Sequence, residues 1–191
     1  MDGTLTLPQK NFIGRMRREL AVPKGTDVLA YAASLPAEER VAAEQLIKRI
    51  EDEAMLAIEV QPGLDELIAA SSSMAILTRN NPDTVAHFLS LREPAHQFDI
   101  LVTREFQPPK PAPDPLLHIA KAWNIRPDEL MMVGDHLDDL YCARDAGAVG
   151  VLLANEGNRD FVPLADCAVD RLDAIIGLLR DGLTVERALA E

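Results

Sequence analysis

Cysteine and aromatic residues are both scarce in this chain of 191 residues. Its two cysteines, Cys142 and Cys167, stand far apart, which excludes a disulfide framework and any cysteine spacing typical of a metal site. We expect both to be buried thiols in a reducing cytosol. Aromatic residues make up only 4% of the sequence, so a hydrophobic core must be built mainly from aliphatic side chains.

Positive charge and long apolar runs are also in short supply. The chain has 19 Lys and Arg residues against 31 Asp and Glu residues, a net charge of -12. This balance disfavours nucleic acid and anionic membranes as partners, and an anionic substrate would need local positive groups or a metal ion. No apolar stretch approaches the roughly 20 residues of a membrane span, and the N-terminus lacks a signal-peptide pattern. We therefore expect a cytoplasmic protein with no nucleic-acid and no membrane partner.

Apolar residues, at 48% of the sequence, are numerous enough for one domain or for a core with a small insertion. The hydrophobic pattern divides the chain near residue 61. Residues 7–61 are predicted to be helical, with one helix that starts near Ser34 and keeps an approximate 3.6-residue period to about residue 58. The sequence Gln61-Pro62-Gly63 then ends the helical pattern.

Beyond Pro62, short apolar segments alternate with helical patterns. The predicted strands cover residues 74–77, 98–103, 130–133 and 149–153, and the predicted helices cover 64–70, 113–123, 137–146 and 172–179, with one more starting at Asn81-Pro82. Strands that are apolar throughout and alternate with helices indicate an α/β fold with a parallel sheet covered on both faces. In such a sheet, functional residues lie beyond the carboxyl ends of the strands.

The strongest motif follows the third predicted strand and has the sequence Gly-Asp-His-Leu-Asp-Asp, residues 134–139. Asp135 ends the strand, and Asp139 lies four residues later in the first turn of the next helix, so the two carboxylates can converge on one point. Hard cations such as Mg²⁺ bind oxygen ligands of this kind. The alternative is that both residues only stabilise the helix N-terminus, which acidic side chains favour.

Thr78 and Lys110 follow two other predicted strands. Thr78 can offer its hydroxyl and backbone N–H groups to an anion, and Arg79 and Asn80 beside it are candidate substrate contacts. Lys110 lies in a proline-rich stretch that holds the backbone extended and fixes where the lysine points. The alternatives are a threonine that only ends a strand and a surface lysine in a connector.

The first residues, Met1-Asp2-Gly3-Thr4, look like the second half of a catalytic loop with the pattern Asp-x-Asp-Gly-Thr. Asp2 would be the second carboxylate of that loop. Gly3 permits a tight backbone turn, and Thr4 can hydrogen-bond within the loop. The alternative for Asp2 is a disordered position at the chain terminus.

Taken in order, Asp-Gly-Thr, a strand ending in Thr, Lys-Pro and Gly-Asp-x-x-x-Asp resemble the haloacid dehalogenase superfamily, in particular its helical-cap phosphatases of the phosphoglycolate-phosphatase-like branch. The resemblance covers essentially the whole chain. It implies Mg²⁺-dependent hydrolysis of a small phosphorylated metabolite through an aspartyl-phosphate. It also implies a remnant of the first motif with a linker at residues 1–13, a small helical cap at residues 14–60 and a Rossmann-like core at residues 61–191.

The resemblance also implies a role for each candidate residue. Asp2 would act as general acid and base and as a metal ligand, Thr78 would hydrogen-bond the phosphoryl group, and Lys110 would neutralise charge on it. Asp135 and Asp139 would complete the Mg²⁺ site. Arg79 and Asn80 would contact the substrate.

The nucleophilic aspartate of that family would stand two positions before Asp2, at the end of a central first strand, and the printed sequence begins after both. We therefore expect the chain as printed to lack phosphatase turnover, and a sheet without its central strand to expose an edge at which copies can self-associate. A start codon assigned too far downstream would explain this. The alternatives are a non-catalytic paralogue that binds a phosphate ligand or a protein partner, and a phosphomutase of the same fold.

Overall fold

The computed structural model describes residues 1–8, 12–91, 98–183 and 185. This part of the chain forms eight α-helices and five short strands. The helices are α1 (Phe12–Glu19), α2 (Val28–Ser34), α3 (Ala37–Met55), α4 (Leu64–Ala70), α5 (Pro82–Ser90), α6 (Asp114–Trp123), α7 (Leu137–Ala146) and α8 (Ile175–Asp181). The strands are β1 (Ala75–Leu77), β2 (Ile100–Val102), β3 (Met131–Gly134), β4 (Val149–Leu153) and β5 (Cys167–Val169).

Every element predicted beyond Pro62 is present, and α7 and β4 have the predicted bounds. Asn81 begins α5 as expected, because its side chain accepts a hydrogen bond of 2.8 Å from the Thr84 N–H. Strand β5 was not predicted. The predicted last helix is divided into a 3₁₀ turn, Leu172–Ala174, and α8.

All strand pairs are parallel, as the sequence predicts, and they form two sheet pieces. β1 pairs with β2, while β3, β4 and β5 form a second piece in that order. Within the described residues, no backbone ladder joins β1 to β3. The α/β class is therefore confirmed, with a parallel sheet that is discontinuous between β1 and β3.

The two sheet pieces share one apolar core. Ile76 of β1 and Leu153 of β4 lie in the same cluster as Phe88 of α5, and each of the three is at most 2% exposed. Met1 and Leu5 pack against this cluster from the N-terminal segment. That segment forms a turn in which the Leu5 N–H donates to the Met1 carbonyl at 2.8 Å. Side-chain packing therefore holds the two pieces together where backbone pairing does not.

Helices α1, α2 and α3 have a separate apolar core, built from residues such as Met16, Ala32 and Ile47. The helix predicted to start near Ser34 is present as α3, although Ser34 itself belongs to α2. Ser34 ends α2, with its hydroxyl donating to the Tyr31 carbonyl at 2.7 Å, and α3 begins three residues later. Residues 9–11, which fall in the predicted helical region and in the 1–13 segment, lie outside the described residues. The division at residues 14–60 and 61–191 stays a prediction.

Helices in the described part of the chain are all too short or too polar to cross a lipid bilayer. The expected cytoplasmic location stays a prediction. So do the expected absence of nucleic-acid partners and the expected ability of copies to self-associate. Both cysteines are free thiols; Cys142 is buried, and Cys167 is only partly so.

Candidate active site

Lys110 connects the two sheet pieces at their carboxyl ends. Its side chain is 8% exposed, and its Nζ donates to the Leu77 carbonyl at 3.1 Å and to Asp139 Oδ1 at 2.5 Å. Leu77 is the last residue of β1, and Asp139 lies in the first turn of α7, which follows β3. The predicted surface-lysine alternative is therefore wrong, and Lys110 lies between the Thr78 loop and the acidic motif.

Asp139 uses both of its carboxylate oxygens within the protein. Oδ1 accepts from Lys110, and Oδ2 accepts from the His136 N–H at 3.1 Å. Burial alone would raise the pKa of this carboxyl, but the Lys110 charge and hydrogen bond outweigh burial and hold the pKa below its usual range. Gly134 is required beside it, because a Cβ at that position would lie 2.2 Å from Asp139 Oδ2.

Asp135 is held by the N-terminal segment. The Thr4 hydroxyl donates to Asp135 Oδ1 at 2.7 Å, and Gly3 adopts a φ of +75° with its Cα against the same carboxylate. A Cβ at Gly3 would lie 2.1 Å from Asp135 Oδ2, so only glycine fits there. The structure thus brings the Asp-Gly-Thr and Gly-Asp motifs into direct contact, as the sequence order predicts.

The surroundings of Asp135 suit a bound cation. Burial raises the pKa of its carboxyl, although the Thr4 hydroxyl opposes that shift, and the charge of Asp139 raises it further. Among the residues that the structure describes, no lysine or arginine forms an ion pair with Asp135. The Met1 amino group also acts on this carboxyl and lowers its pKa. Asp135 is therefore a largely desolvated carboxylate without a side-chain cation, and carboxylates are among the ligands that divalent metal ions prefer.

The predicted set of three metal-binding carboxylates is not assembled as such. In the described part of the chain, no group of three or more His, Cys, Asp or Glu side chains is close enough to hold a metal ion. The physical reason is that Asp139 turns to Lys110. Mg²⁺ commonly uses only one or two carboxylates and takes its other ligands from water and substrate phosphate, so Asp2 and Asp135 remain candidate ligands for such an ion.

Thr78 lies directly beyond β1 and is 5% exposed. Its N–H donates to the Val102 carbonyl at 2.8 Å, and its hydroxyl oxygen accepts from the Asn80 N–H at 3.1 Å. Thr78, Arg79 and Lys110 line one small cavity of about 10 Å³. Three of the predicted phosphate-site residues are therefore neighbours.

Asp2 and Asn80 meet on another side of this region. Both line a second small cavity, of about 20 Å³, together with Thr6 and Thr84. Asp2 is partly buried and takes part in contacts of its own. The structure therefore contradicts the alternative of a disordered terminal Asp2, and places that carboxylate beside the residues that follow β1.

Arg79 links helices α1–α3, here called the helical unit, to the core. Its guanidinium donates to Asp27 Oδ2 at 2.7 Å and to Asp138 Oδ2 at 3.3 Å. Asp27 is also the N-terminal cap of α2, accepting from the Ala30 N–H at 2.9 Å. Although burial would raise it, the pKa of Asp27 is lowered by the Ala30 hydrogen bond and by Arg79.

A cleft of about 580 Å³ separates helices α2 and α3 from the loops that follow β1 and β2. Arg79 and Pro109 line both this cleft and the small cavity at Thr78 and Lys110, so the two spaces adjoin. Charged residues of both signs line the cleft, among them Asp27, Glu51 and Arg104.

Two residues beside this region were missed by sequence reasoning, Glu51 and Asn158. Glu51 of α3 accepts from the Arg104 guanidinium and, at 2.7 Å, from the Asn81 side-chain amide. Asn158 is 4% exposed, and its amide donates to the main-chain carbonyl of Asp135. The cluster of Asn and Gly at residues 155–158 predicts a turn, but nothing in it indicates this partner.

Comparison with known proteins identifies the family. The family model for haloacid dehalogenase-like hydrolases matches residues 19–152. An uncharacterized hydrolase of Saccharomyces cerevisiae is 40% identical over 193 residues, covering 95% of this chain and 88% of the yeast protein. A phosphoglycolate phosphatase of Nitrosospira multiformis is 36% identical over 90 residues, covering 47% of this chain and 40% of that protein.

A crystal structure of a putative phosphoglycolate phosphatase from Lactobacillus plantarum has the same fold. It superposes with a TM-score of 0.71 and 19% identity, covering 93% of this chain and 95% of that one. The family match extends over well over half of the sequence and includes Thr78, Lys110, Asp135 and Asp139. The chain therefore belongs to the haloacid dehalogenase-like hydrolases and resembles the phosphoglycolate phosphatases among them.

Proposed function

We propose that this protein is a Mg²⁺-dependent phosphomonoester hydrolase that acts on a small phosphorylated metabolite through an aspartyl-phosphate. The observation that carries the proposal is the buried Lys110, fixed between the end of β1 and the start of α7, with Thr78 beside it. A cation and a hydroxyl at the adjoining ends of parallel strands form a site for a phosphoryl group.

Each residue of the site has a proposed role. Thr78 donates its hydroxyl to a phosphoryl oxygen, and Lys110 places a fixed positive charge beside it. Asp2 gives a proton to the leaving alcohol and later takes one from the attacking water. We assign the nucleophile of this mechanism to none of the 191 residues.

Asp2 and Asp135 would hold the Mg²⁺ ion. When bound, the ion would reduce the repulsion between carboxylates and phosphate and polarise the phosphoryl oxygens. The proposed role of Asp139 changes from ligand to partner of Lys110, because its oxygens are already used. Lys110 is then important for stability as well as for chemistry.

We propose that the leaving group of the substrate binds in the cleft between the helical unit and the core. Its volume, about 580 Å³, suits a small metabolite. Arg79 lies where the phosphate site meets the cleft, whereas Asn80 lies on the side of Asp2. Both are the proposed substrate contacts. We further propose helices α1–α3, within residues 14–60, as the cap that selects the substrate.

The test is hydrolysis of a generic aryl phosphate, with Mg²⁺ and with chelator, by the chain as printed and by a chain lengthened with an apolar strand that ends in Asp directly before Met1. We expect no turnover from the chain as printed, and the variants below are made in the lengthened chain. There we expect chelator-sensitive turnover that Asp135→Asn lowers by at least about 100-fold, the size of effect found when one transition-state stabilising group is removed. Asp145→Asn, an exposed carboxylate on α7, is the matched control and should keep full activity. Phosphate binding without turnover would instead favour the non-catalytic alternative.

A further inference from the structure

Asn158 lies between the ends of two neighbouring strands of the second sheet piece. Its Nδ2 donates to the Asp135 main-chain carbonyl at 2.9 Å and to the Leu153 carbonyl at 3.0 Å. Its Oδ1 accepts from the Asn155 N–H at 2.7 Å. Asp135 directly follows β3, and Leu153 is the last residue of β4.

The orientation of this amide is fixed by its partners. Two of the partners are carbonyl oxygens, which only accept, and the third is an N–H, which only donates. Turning the amide over would place oxygen against both carbonyls, so one orientation alone satisfies all three hydrogen bonds. At 4% exposure, water cannot readily replace any of them.

Asp135 is therefore held at its side chain and at its main chain. Thr4 and Gly3 fix its carboxylate, while Asn158 fixes its main chain. A main-chain shift of a few tenths of an ångström would move the carboxylate relative to Asp2, the other proposed ligand. Groups that orient metal ligands in this way typically contribute 10- to 100-fold to metal affinity.

We propose that Asn158 is a positioning residue for the divalent-metal site, acting through the main chain of Asp135. This inference rests on the proposed function, because it requires that Asp135 binds the ion. It assigns a specific task to a loop residue that touches neither substrate nor metal.

The experiment is calorimetric titration of the 191-residue chain with Mg²⁺ alone. The unmodified protein is compared with Asn158→Ala. The dissociation constant should rise by at least about tenfold in the variant. Asn155→Ala is the matched control. Its side chain accepts from the Gly157 N–H, so the substitution loosens the same loop while the Asn158–Asp135 bond remains. The control should change the dissociation constant by less than about threefold.

Thermal melting of each variant separates positioning from general destabilisation, and titrations are done well below the lowest melting temperature. Asn158→Ser, whose shorter side chain cannot reach the Asp135 carbonyl, replaces the alanine variant if that variant does not fold. If Mg²⁺ binding weakens equally in the Asn155 and Asn158 variants, or does not weaken in the Asn158 variant, this inference is wrong while the proposed metal site stands. An unmodified protein that binds no Mg²⁺ would overturn the metal site and this inference together.

Discussion

At the scale of single residues, Lys110 and Asp139 form a buried ion pair in which each side chain is 8% exposed. Such pairs matter mainly through the cost of breaking them, because one partner then remains buried and unpaired. We expect Asp139→Asn to lower the free energy of unfolding by about 3–5 kcal/mol at neutral pH, measured by urea denaturation. The exposed Asp145→Asn variant on the same helix should change it by less than about 1 kcal/mol.

The same pair predicts an acid-dependent loss of stability. The pKa of Asp139 is lower in the folded protein than in the unfolded chain, so its contribution is complete above the unfolded pKa of about 3.9. That contribution is lost as the pH falls through the folded pKa. Urea denaturation from pH 6 downwards should therefore show a smaller loss of stability with acid in Asp139→Asn. Parallel curves for the variant and the unmodified protein would contradict this.

Gly3 allows a separate test of the contact at Asp135. Gly3→Ala places a methyl group on Asp135 Oδ2, so we expect Mg²⁺ affinity to fall by at least about tenfold in calorimetric titration. Gly25→Ala is a close control, since Gly25 also has a positive φ, +85°, but no atom lies within 4 Å of the added Cβ. The two variants share a backbone penalty of about 1–2 kcal/mol, and only the first should affect the metal. Equal affinities would show that Gly3 does not position the carboxylate.

At the scale of secondary-structure elements, the helical unit is anchored to the core by α3. Glu51 is 11% exposed at its side chain and binds both Arg104 and Asn81. Glu51→Gln keeps the shape but removes the charge, so we expect a loss of about 1.5–3 kcal/mol in the free energy of unfolding. Glu53→Gln, two residues away and exposed, is the control and should cost less than about 1 kcal/mol. Similar losses in both would mean that Glu51 is no anchor.

Strong local signals made most elements predictable. The apolar run of β4 and the Gly147 that ends α7 in a left-handed conformation set the bounds of those elements. The division of residues 12–55 into three helices was missed, because the Asp27 cap that starts α2 was not recognised. Asn158 and Glu51 were missed because their partners Asp135 and Arg104 lie 23 and 53 residues away, and sequence spacing contains no signal for such pairs.

At the scale of the whole molecule, two sheet pieces contribute to the proposed site. Thr78 belongs to the piece formed by β1 and β2, and Asp135 belongs to the piece formed by β3, β4 and β5. Lys110 and the shared apolar core join the pieces, so both halves of the site depend on contacts between them. The motif order in the sequence predicted this meeting of residues, whereas the turn of Asp139 towards Lys110 depended on packing that spacing alone does not describe.

Thr78 and Asp135 are proposed to act in one phosphate and metal site. The most direct measurement is calorimetric binding of inorganic phosphate, with and without Mg²⁺, to the unmodified protein, Thr78→Val, Asp135→Asn and the double variant. We expect Mg²⁺ to strengthen phosphate binding, and phosphate to strengthen Mg²⁺ binding by the same factor. Each single variant should remove most of that coupling, and the double variant should lose little more. Phosphate affinity that does not change with Mg²⁺, or losses of coupling that simply add in the double variant, would show that Thr78 and Asp135 do not act in one site.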